Sequence, residues 1–173
     1  MNTDLSLSTE LTSVLNQIRQ ALHNRQAMLA CAESCTGGWI AKLITDQPGS
    51  SSWFDRGFVT YSNAAKHQML RVPMSLLAQY GAVSQQVAEG MAAGAIQHSS
   101  ADFALAVTGI AGPDGGSREK PVGTVWLAWA GPSGIQSCVK HFTGNRDEIR
   151  QATVKASLEG LTARYLTPDD TTW

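Results

Sequence analysis

The stretch Ala32-Glu33-Ser34-Cys35-Thr36-Gly37-Gly38 constrains this chain most, because it sets a hydroxyl and two glycines where an apolar strand must turn into a helix. Ahead of it, Ala27 to Ala32 is an apolar run of strand length, and behind it Trp39, Ile40, Leu43 and Ile44 recur at helical spacing. Ser34 is therefore expected at or next to a helix N-cap. Unpaired amides and the positive end of a helix dipole favour an anion there, whether a phosphate or the oxyanion of an acyl transfer. Serine is also an ordinary N-cap, so the stretch alone does not distinguish chemistry from structure.

The elements that follow imply an α/β chain. Leu11, Val14, Leu15, Ile18, Ala21 and Leu22 repeat at three and four, with Ser8 or Thr9 as the expected cap. After the Ser34 helix, a Pro48 to Ser52 loop leads to a strand over Trp53 to Tyr61, then a helix over Asn63 to Leu70 that Val72-Pro73 interrupts. Ser75 to Tyr80 adds a short helical segment, and Ser84 caps a helix to about His98 whose Val87, Met91, Gly94 and Ala95 form a small-residue face. A strand over Phe103 to Val107 precedes a long Gly- and Pro-rich loop, Thr108 to Gly123, of a length associated with function. Val122 to Ala130 and Ile135 to Phe142 form a hairpin, and Arg146 to Tyr165 a closing helix. Strands alternating with helices and ending in a hairpin predict a three-layer α/β/α sandwich on a mixed sheet.

Composition excludes several classes. A chain of 173 residues, 43% hydrophobic, buries one substantial core, so a single domain is expected. Thirteen basic against fourteen acidic residues, without a basic cluster, leave no electrostatic footprint for nucleic acid or an anionic membrane. The longest strongly apolar run, Val125 to Ala130, is too short to span a bilayer. Cys31, Cys35 and Cys138 are an odd set in a chain that needs no staples, which fits reduced thiols and a cytoplasmic setting. The four histidines lack ligand spacing and no Cys-x-x-Cys occurs, so neither a metal nor an organic cofactor is expected. Phosphate-loop, dinucleotide and Gly-x-Ser-x-Gly signatures are absent. The Trp-bearing segment Thr124 to Trp129 is the expected partner surface, with a homodimer as the default assembly.

Tyr61 and Lys66 on one helix would diverge by about 140°. They meet if Tyr61 ends a strand and Lys66 lies one turn into the next helix. Ser34 and Tyr61 at strand ends on the same sheet edge, with Lys66 beside them, then share a cleft where ligands of α/β sheets bind, and a Ser-Lys-Tyr hydrolase becomes conceivable. The plain alternatives are a strand tyrosine and a solvated helix lysine.

Five blocks, Ala32 to Gly38, Gly57 to Asn63 with Lys66, Gly81 to Ser84, Thr108 to Gly116 and Lys120 to Val125, resemble in order the C-terminal domain family of the competence-damage-inducible protein A. The resemblance runs from roughly Leu11 to Leu161 and implies deamidation of a pyridine nucleotide, nicotinamide mononucleotide, to its nicotinate form. It implies Ser34 as nucleophile, assisted by Lys66 and Tyr61, with the amides of Cys35 and Thr36 as oxyanion donors and Gly37 in the same turn. It also implies that Thr108 faces the substrate and that the backbone from Gly109 to Gly116 forms a wall or lid. Arg146, and second Arg150, are the phosphate receptors the resemblance suggests, aided by the amides opening the last helix. Their plain alternative is salt bridging with Asp147 or Glu148. As base, Lys66 must be neutral, and an unperturbed lysine is neutral only about once in 2,500 at pH 7, so its site must lower its pKa by burial or a neighbouring cation. Cys35 as a thiol nucleophile, a nucleotide-binding module without turnover and a competence- or DNA-damage-related interaction domain are the competing readings.

Overall fold

Along the strand-forming segments large and small side chains alternate: Leu29 and Cys31 against Ala30 and Ala32, Phe103, Leu105 and Val107 against Ala104 and Ala106, Leu127 and Trp129 against Ala128 and Ala130. A period of two sends each set to its own face of a sheet. A computed structural model, which describes residues 3–167, places these segments in one five-stranded sheet of order β2-β1-β3-β4-β5. The elements are α1 (Thr3–Arg25), β1 (Leu29–Glu33), α2 (Trp39–Thr45), β2 (Phe54–Val59), α3 (Asn63–Leu70), α4 (Met74–Tyr80), α5 (Gln85–Gln97), β3 (Phe103–Gly109), β4 (Thr124–Gly131), β5 (Gly134–His141) and α6 (Arg146–Leu161). β1 runs parallel to β2 and β3, while β3, β4 and β5 are antiparallel, so the sheet is mixed.

Each face carries its own core. The large residues pack under α1, α2 and α6 with Leu15, Ile18, Leu22, Ile40, Ile44, Val154 and Leu158. Trp129 fills the centre of that layer, its indole Nε1 donating to Ser157 O at 2.7 Å, and a Cβ on Gly160 would lie 2.1 Å from its ring. On the opposite face the alanines of β1, β3 and β4 meet α5 through Val87, Ala88, Met91, Ala92 and Ala95. A sheet surface of methyl groups lets α5 lie close. Gly94 extends the same economy outward, since a Cβ there would sit 2.1 Å from Leu70 O.

The connections position the site. From β1 the chain goes to β2 with α2 on one face, then returns past β1 to β3 with α3, α4 and α5 on the other. Right-handed crossovers moving in opposite directions require opposite faces. The reversal at β1 opens a crevice at the carboxyl ends of the parallel strands, where Ser34 and Thr60 follow β1 and β2 and Thr108 is the last residue but one of β3.

Several boundaries differ from the sequence reading. The first helix starts at Thr3, so Ser8 and Thr9 lie within it rather than cap it. The hairpin turns through Pro132 and Ser133 alone, and the last helix ends at Leu161 and continues as a π turn to Leu166. β2 stops at Val59, short of Tyr61. β4 is an interior strand whose Val125, Leu127 and Trp129 are buried within the chain, and of the apolar side chains between Thr124 and Trp129 only Trp126 is half-buried rather than buried. Among the described residues no helix is long and apolar enough to cross a membrane.

The two layers predict opposite sensitivities. Ala104→Leu should cost about 1–3 kcal/mol by forcing α5 from the sheet, and Leu105→Ala about 2–5 kcal/mol by leaving a cavity under α6. Urea unfolding of the two variants beside wild type measures both.

Candidate active site

Glu33, the last residue of β1, is fully buried, and each of its contacts is a donor. Its carboxylate accepts from the Thr36 hydroxyl at 2.6 Å, from the amides of Gly38, Ile40 and Ala41 at 3.0, 3.1 and 2.9 Å, and from the Cys31 thiol at 3.6 Å. The N-cap of α2 is Gly38, with φ 99° and no side chain to cap with. Glu33 therefore supplies that cap from inside the sheet and satisfies amides a helix start leaves open. This corrects the position of Ser34. It is not the N-cap but begins a tight turn, Ser34 to Gly38, closed by Gly37 N–H to Ser34 O at 3.1 Å. Gly37 at φ 62° and Gly38 carry the chain through left-handed backbone that a side chain would oppose. Ser34 N–H donates to Val107 O at 3.1 Å, which ties the turn to β3.

Lys66 lies one turn into α3 and is only 1% exposed. Its Nζ is 2.9 Å from Ser34 Oγ and donates to the carbonyls of Thr60 at 2.8 Å and Tyr61 at 3.3 Å. The early end of β2 frees those carbonyls for it. Burial pushes the Lys66 pKa from 10.5 down to about 8, with a small opposing effect from Cys35. Burial alone suffices, and no neighbouring cation contributes. A neutral amine has two N–H groups and one lone pair. Here two carbonyls match the donors, and the lone pair is left facing the Ser34 hydroxyl.

Around this pair is a cleft of about 300 Å³, lined by Ser34, Cys35, Tyr61, Lys66, Ala82, Val83, Thr108, the loop residues Gly109 to Gly112, Asp114, Gly115 and Arg146. Thr108 Oγ1 donates to Ala82 O at 2.9 Å, joining the end of β3 to the turn before α5. Gly109 is required by packing, since a Cβ would lie 2.5 Å from the Val125 side chain. The loop is held at both ends of its span, by Lys120 Nζ on Tyr80 O at 2.9 Å and by Arg146 Nη1 on Gly112 O at 2.9 Å. Tyr61 is 64% exposed at the mouth, and the hydrogen bond it accepts from Lys66 is on its carbonyl, not its phenol. Burial raises the Cys35 thiol to about 11, which keeps it protonated at neutral pH. A larger hollow of about 710 Å³ between α1 and Thr162 to Thr167 is lined by residues among which no nucleophile stands beside a base, most of them asparagine, glutamine, serine or threonine.

Three sequence assignments change. Thr36, read as an amide donor to the oxyanion, is fully buried with its hydroxyl on Glu33 and lines the groove beside Arg150 rather than the cleft. Arg150 faces away from the cleft: its Nε donates to Cys35 O at 3.1 Å and its Nη2 to Thr36 O at 3.0 Å. The amides opening α6 are not open to phosphate either, because the Asn145 side chain accepts from Asp147 and Glu148 N–H in a capping box. Only Arg146 of that segment lines the cleft. Sequence reasoning offered Glu33 only as a group orienting Lys66 or as the end of its strand, and held Ala82 and Val83 only within the Gly81 to Ser84 block, not as site residues. A carboxylate one residue before a Ser-x-x-Gly-Gly turn that lacks its own cap was the available signal for the first.

Glu33→Gln should be costly, because the amide nitrogen would face donors. A loss of about 2–4 kcal/mol is expected, with a falling melting temperature by circular dichroism as the check.

Known proteins resemble this chain over most of its length. The chain matches the model of the CinA C-terminal domain over residues 11–165. It is 52% identical over 159 residues to the nicotinamide-nucleotide amidohydrolase PncC of Escherichia coli strain K12, covering 91% of this chain and 96% of that protein. It is 57% identical over 138 residues to a CinA-like protein of Geotalea uraniireducens strain Rf4, covering 80% of this chain and 33% of that one. Among solved structures, the competence/damage inducible protein CihA from Agrobacterium tumefaciens superposes with a TM-score of 0.86 at 47% identity, over 89% of this chain and 94% of that one. The strand-turn-helix around Ser34 thus sits inside a match that spans all five strands, and the chain belongs to the CinA C-terminal domain family.

Proposed function

We propose that this chain is a nicotinamide-nucleotide amidohydrolase that converts nicotinamide mononucleotide to nicotinate mononucleotide and ammonia. The observation that carries the reading is the buried Lys66 Nζ, 2.9 Å from Ser34 Oγ at the floor of the cleft. The amidohydrolase name of its relatives supplies the substrate class.

Ser34 Oγ attacks the carboxamide carbon while its proton passes to the lone pair of Lys66. The carbonyl oxygen becomes an oxyanion, for which the amide of Cys35, a residue that lines the cleft, is the available donor. Collapse breaks the C–N bond, and the proton held on Lys66 goes to the departing nitrogen as ammonia. Water, deprotonated by the same amine, then attacks the acyl-Ser34 carbonyl, and the nicotinate nucleotide leaves as Ser34 regains its proton. The direct Ser34 to Lys66 contact needs no relay through the Tyr61 phenol, which is placed to cover a bound ring. Arg146, whose guanidinium uses one donor on Gly112, has others free for the phosphate. Thr108, Gly109 and the loop backbone form the opposing wall.

With a pKa of about 8, roughly one Lys66 in eleven is neutral at pH 7, against about one in 3,000 for a lysine at 10.5. The base works deprotonated, so kcat/KM should rise about tenfold per pH unit below pH 8 and level off above it. Ammonia release by wild type, with loss of about 10³-fold or more in Ser34→Ala and Lys66→Ala at equal folded concentration, is the expected result. Saturable binding without release would replace the reading with nucleotide binding alone. Tyr61→Phe should change kcat little, and Tyr61→Ala should raise KM.

The same shift acts on stability. Between about pH 8 and 10.5 the unfolded lysine still holds a proton that folded Lys66 has released. Unfolding then takes up protons, and stability rises with pH across that window. Wild type should therefore gain on Lys66→Met between pH 8 and 10, measured by urea unfolding, and not between pH 6 and 7.

A further inference from the structure

The loop from β3 to β4 brings a carboxylate to the cleft that has no task within the protein. Among the described residues Asp114 is the one acidic group lining the cavity with Ser34, Lys66 and Arg146. It is exposed, and among the described residues no hydrogen bond or ion pair engages its side chain. An aspartate in a Pro-Asp-Gly-Gly turn ordinarily bonds the backbone two residues on. Asp114 does not, so turn chemistry leaves its oxygens unused.

The turn that presents it is packed on both flanks. A Cβ on Gly112 would lie 2.5 Å from the Val122 side chain, and one on Gly116 would lie 2.8 Å from Val122 N, so both sides of the turn rest on the same valine. Arg146 Nη1 fastens the first flank through Gly112 O at 2.9 Å. Asp114 is therefore held at a set place beside the guanidinium that the amidohydrolase reading gives to phosphate.

Place and chemistry together select what Asp114 meets. Two residues of backbone, Gly112 to Asp114, span at most about 7 Å. That is the scale between a 5′-phosphate and the diol of its own ribose. A carboxylate only accepts hydrogen bonds, and the donors of a nicotinamide nucleotide are its carboxamide NH₂ and its 2′- and 3′-hydroxyls. The carboxamide belongs at Ser34, and the phosphate has no proton to offer and carries like charge. The hydroxyls remain.

We infer that Asp114 is a specificity-determining residue that accepts from the ribose 2′,3′-diol of the nucleotide, while Arg146 holds the phosphate. The inference rests on the amidohydrolase reading for its substrate class.

The test compares hydrolysis of nicotinamide mononucleotide with that of its 2′,3′-dideoxy counterpart. Wild type should favour the diol by about 10- to 100-fold in kcat/KM, chiefly through KM, because the contact persists from bound substrate to transition state. Asp114→Ala should lose about that factor on the diol substrate and nothing on the dideoxy one, so the preference disappears. Asp114→Asn, which keeps one acceptor oxygen, should retain part of it. The melting temperature should stay unchanged in both variants, since the side chain is exposed and unpartnered. Calorimetric titration of the same two nucleotides reads the preference without turnover. Wild type that binds with the diol preference, lost in Asp114→Ala, but releases no ammonia would remove the amidohydrolase reading and leave the diol contact standing. Equal kcat/KM and equal affinity of wild type for the two nucleotides would overturn the proposal. An equal loss on both nucleotides in Asp114→Ala would also overturn it, assigning the carboxylate to the cationic pyridinium if the melting temperature holds and to support of the turn if it falls.

Discussion

The rest of this site depends on one buried carboxylate. A charge without partners in a protein interior is prohibitively costly, and Glu33 is tolerated because hydroxyl, thiol and three backbone amides all point at it. Those donors come from both sides of the turn, so strand, turn and helix are locked around one pair of oxygens. Side chains alternate along β1, and Glu33 faces α2 with Leu29 and Cys31 while the next residue, Ser34, opens onto the cleft. The nucleophile is thus held from behind by a group that never meets the substrate.

Lys66 is the opposite case, a basic group whose surroundings favour its neutral form. Its setting is built from backbone: two carbonyls released where β2 ends, and burial under the crossover that carries α3. Among the described residues no carboxylate pairs with the ammonium, and the fold loses stability at neutral pH in exchange for a lone pair beside a hydroxyl. Strain of this kind is usual where a group must act as a base.

Much of this was legible in the residues and some was not. The alternation of large residues with alanine, the Ser84 cap and the Pro73 break are local signals, and the sheet, α5 and the α3–α4 junction follow them. The meeting of Ser34 and Lys66 was legible only as a conditional geometry, since 32 positions separate them and the crossover decides whether they touch. Arg150 misled because an arginine near a helix start reads equally as an anion receptor and as a clamp. Only the placement of α6 against the turn, across 115 positions, separates the two. Likewise β4 reads as an apolar surface until β5 is added at the edge and α6 is laid over Trp129.

The alanine layer beneath α5 has a further consequence. A layer already at methyl size has almost no room to shrink, so sequence drift there can only add bulk, and each addition lifts α5. The start of α5 follows Ala82 and Val83, which line the cleft, and Ala82 O is the acceptor for Thr108. Cleft width is therefore coupled to residues beneath α5 that do not themselves line the cleft. In descent from a common ancestor, the gap that admits the substrate would be tuned by alanines rather than by the residues that face it.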